Sequence, residues 1–241
     1  MSGKDSRQTQ RRLVALAAMI PPDSCVADVG TDAARLPRML LRSGRARHCI
    51  ATDVAGTGLG LAERWCGPEL TAGRLELRRG AGLAPLTLED GLDVVVLAGL
   101  GAHKMVRILG NDRPRDLSVG RLVLQPQTDP VLVRRWLLAH DYGIVLETMV
   151  REREYDYVIM AAEPGAAARS SWCGPLVLED LLEVGPCLIR STDPLVREHW
   201  ERERLRLEGV DTPSEDGTAA GPVRERLELT RRVLAQLPFR R

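Results

Sequence analysis

The chain has 241 residues, 44% of them hydrophobic and only 3% aromatic, with a formal charge of +1. That length accommodates one α/β domain of roughly 150 residues plus a smaller appendage around a sizeable core, which excludes a disordered or fibrous chain. The near-neutral charge gives no general argument for a nucleic-acid partner. The almost complete use of Arg over Lys, with Lys4 and Lys104 the only lysines, reads as codon usage. Cys25, Cys49, Cys66, Cys173 and Cys187 are odd in number and scattered, so they read as reduced small hydrophobes, and no metal site is expected. The apolar patch Leu13 to Ile20 is short and ends at Pro21-Pro22, too brief for a leader or a membrane span. A cytoplasmic protein with no membrane partner is the expectation.

In chain order, Leu13, Leu16, Ala17 and Ile20 fall at helical spacing, which predicts a leading helix over Arg7 to Ile20, stopped by Pro21-Pro22. Short apolar runs then alternate with amphipathic stretches, the pattern of βαβ units. Strands are predicted at Cys25–Val29, Cys49–Asp53, Leu75–Arg78, Leu92–Leu97, Arg121–Gln125, Ile144–Met149 and Tyr155–Ala161, with helices starting near Ala33, Gly56, Gly101 and Asp129. The last two strands are separated only by the charged stretch Val150 to Glu154, so they are predicted to pair antiparallel at a sheet edge. This is an α/β fold of Rossmann-like class I methyltransferase type: a seven-stranded, mainly parallel sheet with an antiparallel edge. A linker from Glu163 to Ser171 divides a first domain, 1–165, from a second, 172–241. In the second, Val196, Trp200 and Leu207, then Val223, Leu227, Leu234 and Leu237, mark two helices around an acidic loop from Gly209 to Gly221. Together they predict an antiparallel helical hairpin of coiled-coil type.

The turn Asp28-Val29-Gly30-Thr31-Asp32 after the first strand has the features that an adenosyl cofactor requires. Gly30 permits close backbone approach, Thr31 lies in the turn, Asp28 can hold it, and Asp32 can meet the positive end of the cofactor. Asp53, followed by Val54, closes the second strand and can accept from ribose hydroxyls. Gly80-Ala81-Gly82-Leu83 follows the third strand, where the adenine would lie. Ala98 ends the fourth strand, and Gly99, Leu100 and Gly101, with Gln125 at the end of the fifth, are the substrate-positioning candidates, with no general base among them. A nicotinamide cofactor fits poorly, because Asp32 and Arg35 occupy the places of the second and third glycines of the dinucleotide turn.

Taken together these segments resemble the bacterial tRNA (adenine-22-N1)-methyltransferases over nearly the whole chain. The resemblance rests on Ile20-Pro21-Pro22, the Asp28 to Asp32 turn followed by Leu36-Pro37, Gly80 to Leu83, Ala98 to Gly101, Leu124-Gln125-Pro126, and Gly185-Pro186-Cys187-Leu188 ahead of a helical hairpin containing Trp200. It implies S-adenosyl-L-methionine as cofactor, tRNA as partner, methyl transfer to N1 of adenine 22, and a hairpin that aids tRNA binding. Adenine N1 carries its own lone pair, so positioning would be the main catalytic task and Gln125 could hydrogen-bond the base edge. Arg113, Arg115, Arg134, Arg135, Arg151 and Arg153 lie in or beside predicted loops. Arg197, Arg202, Arg204, Arg206, Arg224, Arg226, Arg231 and Arg232 decorate the hairpin. All could neutralise phosphates, although their acidic neighbours favour a solvated helix face for most. Ala33 and Ala81 stand where family members usually carry polar residues. Two further readings therefore stay open, a non-catalytic RNA- or protein-binding homologue and a methyltransferase for another RNA or a small molecule.

Overall fold

The computed structural model describes residues 3–110, 113–165, 172–210 and 220–238, with side chains from residue 11 onward and excluding that of Ala220. Seven strands form one sheet: β1 (Ser24–Val29), β2 (Ala46–Asp53), β3 (Leu75–Arg79), β4 (Val94–Leu100), β5 (Arg121–Pro126), β6 (Tyr142–Glu152) and β7 (Tyr155–Pro164). Their order is β3-β2-β1-β4-β5-β7-β6, parallel through β5, with β7 antiparallel to both β5 and β6. The chain reverses direction across the sheet between β1 and β4, which opens a crevice at their carboxyl ends.

Helices α1 (Gly3–Ala18), α2 (Arg35–Arg42) and α3 (Gly56–Trp65) cover one face. On the other lie α5 (Ala102–Leu109) and α7 (Pro130–Ala139), with short α4 (Gly67–Thr71) and α6 (Arg113–Asp116) between elements. Because side chains alternate along a strand, Cys25, Ala27 and Val29 join the α5/α7 core while Val26 joins the α1/α2 core. The same alternation puts Asp28, Ala98 and Gln125 on the α1/α2 side, where the cleft opens. The hairpin at the edge is longer than predicted. Pairs Val150↔Tyr157, Arg151↔Asp156 and Glu152↔Tyr155 carry the ladder to a two-residue turn, with an Arg151–Asp156 ion pair at 2.7 Å closing it. Helix α2 starts at Arg35 rather than near Ala33, because Asp32 and Ala34 both take left-handed backbone angles (φ 53° and 50°) that no α-helix admits.

After α8 (Leu178–Val184), helices α9 (Pro194–Val210) and α10 (Ala220–Gln236) pack together as the C-terminal hairpin. The predicted loop is shorter at both ends, since α9 includes Gly209 and α10 includes Gly221; its centre, 211–219, lies outside the described residues, as do 166–171 of the predicted linker. Val196, Trp200, Val233 and Leu237 share a third core with Met149 of β6 and Leu181 and Val184 of α8. The segment from Trp172 is anchored in the sheet's own core, where its indole N–H donates to the Tyr142 carbonyl at 3.0 Å.

One buried ion pair joins these parts. Arg134 of α7 and Glu147 of β6 have no exposed side-chain surface and meet at 3.0 Å. Arg134 also donates to the carbonyls of Leu182, Glu183 and Val184, and Glu147 accepts from the amides of Cys187 and Leu188. Gly185 (φ 101°) leaves the space these charges occupy, because a Cβ there would collide with the carboxylate and reach within 2.7 Å of the guanidinium. Arg134, a phosphate candidate in the sequence, is thus an internal strut. Arg134→Ala strands a buried carboxylate and should cost about 3–5 kcal/mol, lowering Tm by roughly 6–20 °C in a thermal melt of a domain this size. The double variant Arg134→Met, Glu147→Leu removes the stranded charge but leaves the backbone groups at 182–184 and 187–188 without these partners, so it should recover only part of that loss.

Candidate functional site

Gly30 and Thr31 both donate their amides to the carbonyl of Thr52, at 2.8 and 3.0 Å, pinning the turn after β1 to the end of β2. Gly30 sits at φ 79°, and a Cβ there would only touch Leu100 at 3.7 Å. Within the protein, the requirement for glycine at this position is backbone conformation. Thr31 donates its hydroxyl to Asp28 Oδ2 at 2.6 Å. Asp53 holds the turn from the second strand: Oδ2 accepts from the Asp32 amide at 3.0 Å and Oδ1 from the Ala55 amide at 2.8 Å. Each of its oxygens retains a second acceptor position.

Asp28 is 6% exposed. Burial pushes its carboxyl up to about 6, against the pull of the Thr31 hydroxyl and with a further push from the charge of Asp53. Its folded-state value lies above its unfolded one, so ionisation costs about 3 kcal/mol. That penalty is fully present above pH 6 and absent below the unfolded value. A carboxylate kept at such a cost beside an open cleft suits a cationic ligand.

The cleft, about 220 Å³, is lined by Asp28, Gly30, Thr31, Asp32, Ala98, Gly99 and Gln125 from the strand ends, and by Arg12, Leu13 and Leu16 of α1 with Arg35 and Leu36 of α2. The predicted cofactor turn therefore shares one cavity with Gly99 and Gln125 of the predicted substrate residues, whereas Leu100 and Gly101 do not line it. Gln125 is fully buried, with Oε1 accepting from the Gly99 amide at 3.1 Å and Nε2 donating to the Pro126 carbonyl at 2.9 Å. Gln127 Nε2 reaches the Gly99 carbonyl at 3.4 Å, so the Gly99 peptide is held from both sides. Gly101 caps α5 with Thr128 Oγ1 3.8 Å from where a Cβ would lie, and His103 is exposed in the first turn of that helix.

Asp53, Val54 and the Gly80–Leu83 loop do not line this cavity but adjoin it. The Gly80 amide donates to the Asp53 carbonyl at 3.0 Å, Val54 and Ala81 are exposed, and Leu83 is buried, anchoring the loop in the sheet core. Ala33 is buried among the packed residues rather than facing the cleft.

Gly58, Gln127, Arg12 and Leu13 also contribute, and none of these four was among the site candidates expected from sequence. Gly58 in α3 lies against the turn, where a Cβ would fall 2.7 Å from the Asp32 carbonyl oxygen; Gly56-Thr57-Gly58 in a helix start was the available signal. Gln127 had none. Arg12 and Leu13 of α1 line the cleft although that helix was expected only to pack on the sheet. Among the described residues no three His, Cys, Asp or Glu side chains gather as metal ligands, and no helix is long and apolar enough to cross a membrane.

A model of the tRNA (adenine(22)-N(1))-methyltransferase family matches residues 26–231. The tRNA (adenine(22)-N(1))-methyltransferase of Bacillus subtilis is 26% identical over 200 residues, 83% of each chain. The structure of Streptococcus pneumoniae Sp1610 in complex with S-adenosyl-L-methionine has a TM-score of 0.80 at 25% identity, covering 93% of this chain and 98% of that one. A Mycoplasma capricolum structure holding S-adenosyl-homocysteine shares the fold, with a TM-score of 0.78 at 21% identity over 94% of this chain and 98% of that one. With the family pattern running through both the sheet and the C-terminal hairpin, the chain belongs to the tRNA (adenine(22)-N(1))-methyltransferase family.

Proposed function

We propose that the chain binds S-adenosyl-L-methionine in the crevice between β1 and β4 and transfers its methyl group to N1 of adenine 22 of tRNA, working in the cytoplasm. The observation that carries this reading is the single cleft formed by Asp28, Asp32, Ala98, Gly99 and Gln125 in a chain of this family. When bound, the cofactor supplies an electrophilic methyl on a sulfonium. The residues present fit it: Asp28 and Asp32 offer carboxylates to its cationic end, and Asp53 keeps acceptor positions for ribose hydroxyls. Val54, Gly80, Ala81 and Gly82, with Leu83 as their anchor, form the adenosine side, and Ala98 the floor.

Adenine N1 is already nucleophilic, so no side chain has to create the nucleophile and catalysis is proximity and orientation. Gly99, Leu100 and Gly101 form the wall for the base. Gln125 fixes the Gly99 peptide through one bond at each end of its amide, and it keeps a second N–H and a second lone pair at the cleft with which to meet the base edge. The target base must leave its stack to enter. We assign cofactor binding to residues 1–165 and RNA support to the hairpin unit, 172–241.

Purified protein incubated with labelled S-adenosyl-L-methionine and unmodified tRNA should yield labelled tRNA and N1-methyladenosine by nucleoside mass spectrometry; absence of transfer across a broad tRNA pool overturns the reading. Asp53→Ala should weaken S-adenosylhomocysteine binding roughly 10- to 150-fold in calorimetry, the loss of hydrogen bonds to a charged group, while Tm falls only a few degrees. Unchanged affinity would show the ribose assignment to be wrong. Protonation of Asp28 below pH 6 removes a charge that faces the ligand ammonium, so affinity should fall as pH drops from 7 to 5, by up to about tenfold at pH 5. Asp28→Asn should bind more weakly at pH 7 and lose that dependence.

A further inference from the structure

Aromatic residues are only 3% of this chain. Trp136, Trp172, Trp200 and Tyr142 are buried in cores. Yet the two remaining tyrosines stand together at the start of β7, two residues apart and so on one face of the sheet. Tyr155 is 67% exposed, and its ring centroid lies 6.4 Å from that of Tyr157, inclined at 42°. Arg12 of α1 sits over the Tyr157 ring with its guanidinium carbon 5.2 Å from the centroid, and the same Arg12 lines the cleft of the β1 turn. A stripe of π surfaces therefore runs outward from the methyl-transfer cavity: Arg12, then Tyr157, then the solvent-exposed Tyr155.

From this continuity we infer that Tyr155, Tyr157 and Arg12 form a stacking site for an unpaired nucleobase of the RNA substrate, next to the base that enters the cleft. The inference rests on the proposed methyl transfer to tRNA.

The local electrostatics favour stacking over phosphate binding. On the tyrosine face Glu152, the cross-strand neighbour of Tyr155, is 3.7 Å from Arg12, so the charge beside the rings is paired, while Asp156 and its partners Arg151, His199 and Arg202 lie on the opposite face of the strand. A phosphate gains little on such a surface, whereas a base gains from any exposed aromatic face. An unstacked base is what an enzyme that extracts an adenine from a folded tRNA leaves beside its target. A tyrosine this exposed is also poorly explained by packing, since β7 already buries Ile159 and Ala161 on the same face.

The test is steady-state methylation of tRNA together with equilibrium tRNA binding, for wild type, Tyr155→Ala and Tyr155→Phe. At so exposed a position Tyr155→Ala should melt as wild type and bind S-adenosylhomocysteine unchanged. Its KM and Kd for tRNA should rise about 5- to 150-fold, the range seen when a base loses an aromatic partner. Tyr155→Phe should retain wild-type values. Because stacking releases no counterions, the slope of log affinity against log salt should be the same in all three proteins. Equal loss in Tyr155→Ala and Tyr155→Phe would assign the hydroxyl instead and overturn the stacking site. So would a tRNA KM and Kd within twofold of wild type in Tyr155→Ala. Failure of the wild type to methylate any tRNA is a separate result that removes the parent reading and this site with it.

Discussion

The buried pair Arg134–Glu147 is the constraint on which the arrangement of the molecule depends. Its two charges come from the last crossover helix and the edge strand, and its remaining hydrogen-bonding capacity is spent on the backbone between α8 and α9. Such a pair gains little stability over an apolar replacement, because desolvation offsets most of the Coulomb attraction. What it gains is uniqueness. Carbonyls at 182–184 and amides at 187–188 can satisfy these charges in one placement of the chain only, so the segment leading to the hairpin is seated in one register. Gly185 is the complement of that choice, since any side chain there would occupy the volume of the ion pair.

A second link works at the opposite end of the edge hairpin. Burial alone would raise the Asp156 carboxyl, but Arg151, His199 and Arg202 outweigh it and hold it below the usual carboxylate range. His199 and Arg202 belong to α9, and Asp156 to β7, so the helical hairpin is tied to the sheet at the turn as well as at the strut. Most arginines placed on the hairpin from sequence are engaged in the same way: Arg204 and Arg231 with Glu208, Arg206 with Glu203, Arg226 with Glu183 and Arg232 with Asp180. Exposed pairs of this kind add little stability each, but they leave the hairpin a charge-balanced surface rather than a basic one.

The elements of the sheet were legible because each is a local apolar run bounded by turn residues, and the antiparallel edge because only a short charged stretch separates its strands. Element ends were less so. The start of α2 slips to Arg35 because left-handed angles at Asp32 and Ala34 depend on bonds to Thr52 and Asp53, which no local pattern reveals. The acidic and glycine residues of the site were readable from strand ends and spacing. The backbone bonds of Gln125 were not, since they depend on where the Gly99 peptide lies on the neighbouring strand. The burial of Arg134 was equally hidden: a run of charged and apolar residues in a helix looks the same whether its arginine meets water or a glutamate of the following strand.

The cleft itself combines a costly feature with an economical one. Three residues after β1, Gly30, Asp32 and Ala34, hold positive φ, and Asp28 remains under-solvated. These are expenses that the surrounding bonds to β2 must offset. The Gly99 side, proposed to receive the substrate, is by contrast built from glycine and from backbone groups paired with Gln125 and Gln127. That asymmetry matches the chemistry. The cationic cofactor needs a fixed negative field, whereas an adenine whose N1 lone pair is ready to react needs only a neutral, rigid wall that keeps it in line. Helix α1 connects the two demands, because Arg12 reaches the acidic turn on one side and the tyrosine face of the edge hairpin on the other. A helix that sequence reading assigns to covering the sheet thereby joins the cleft to the tyrosine face of the edge hairpin.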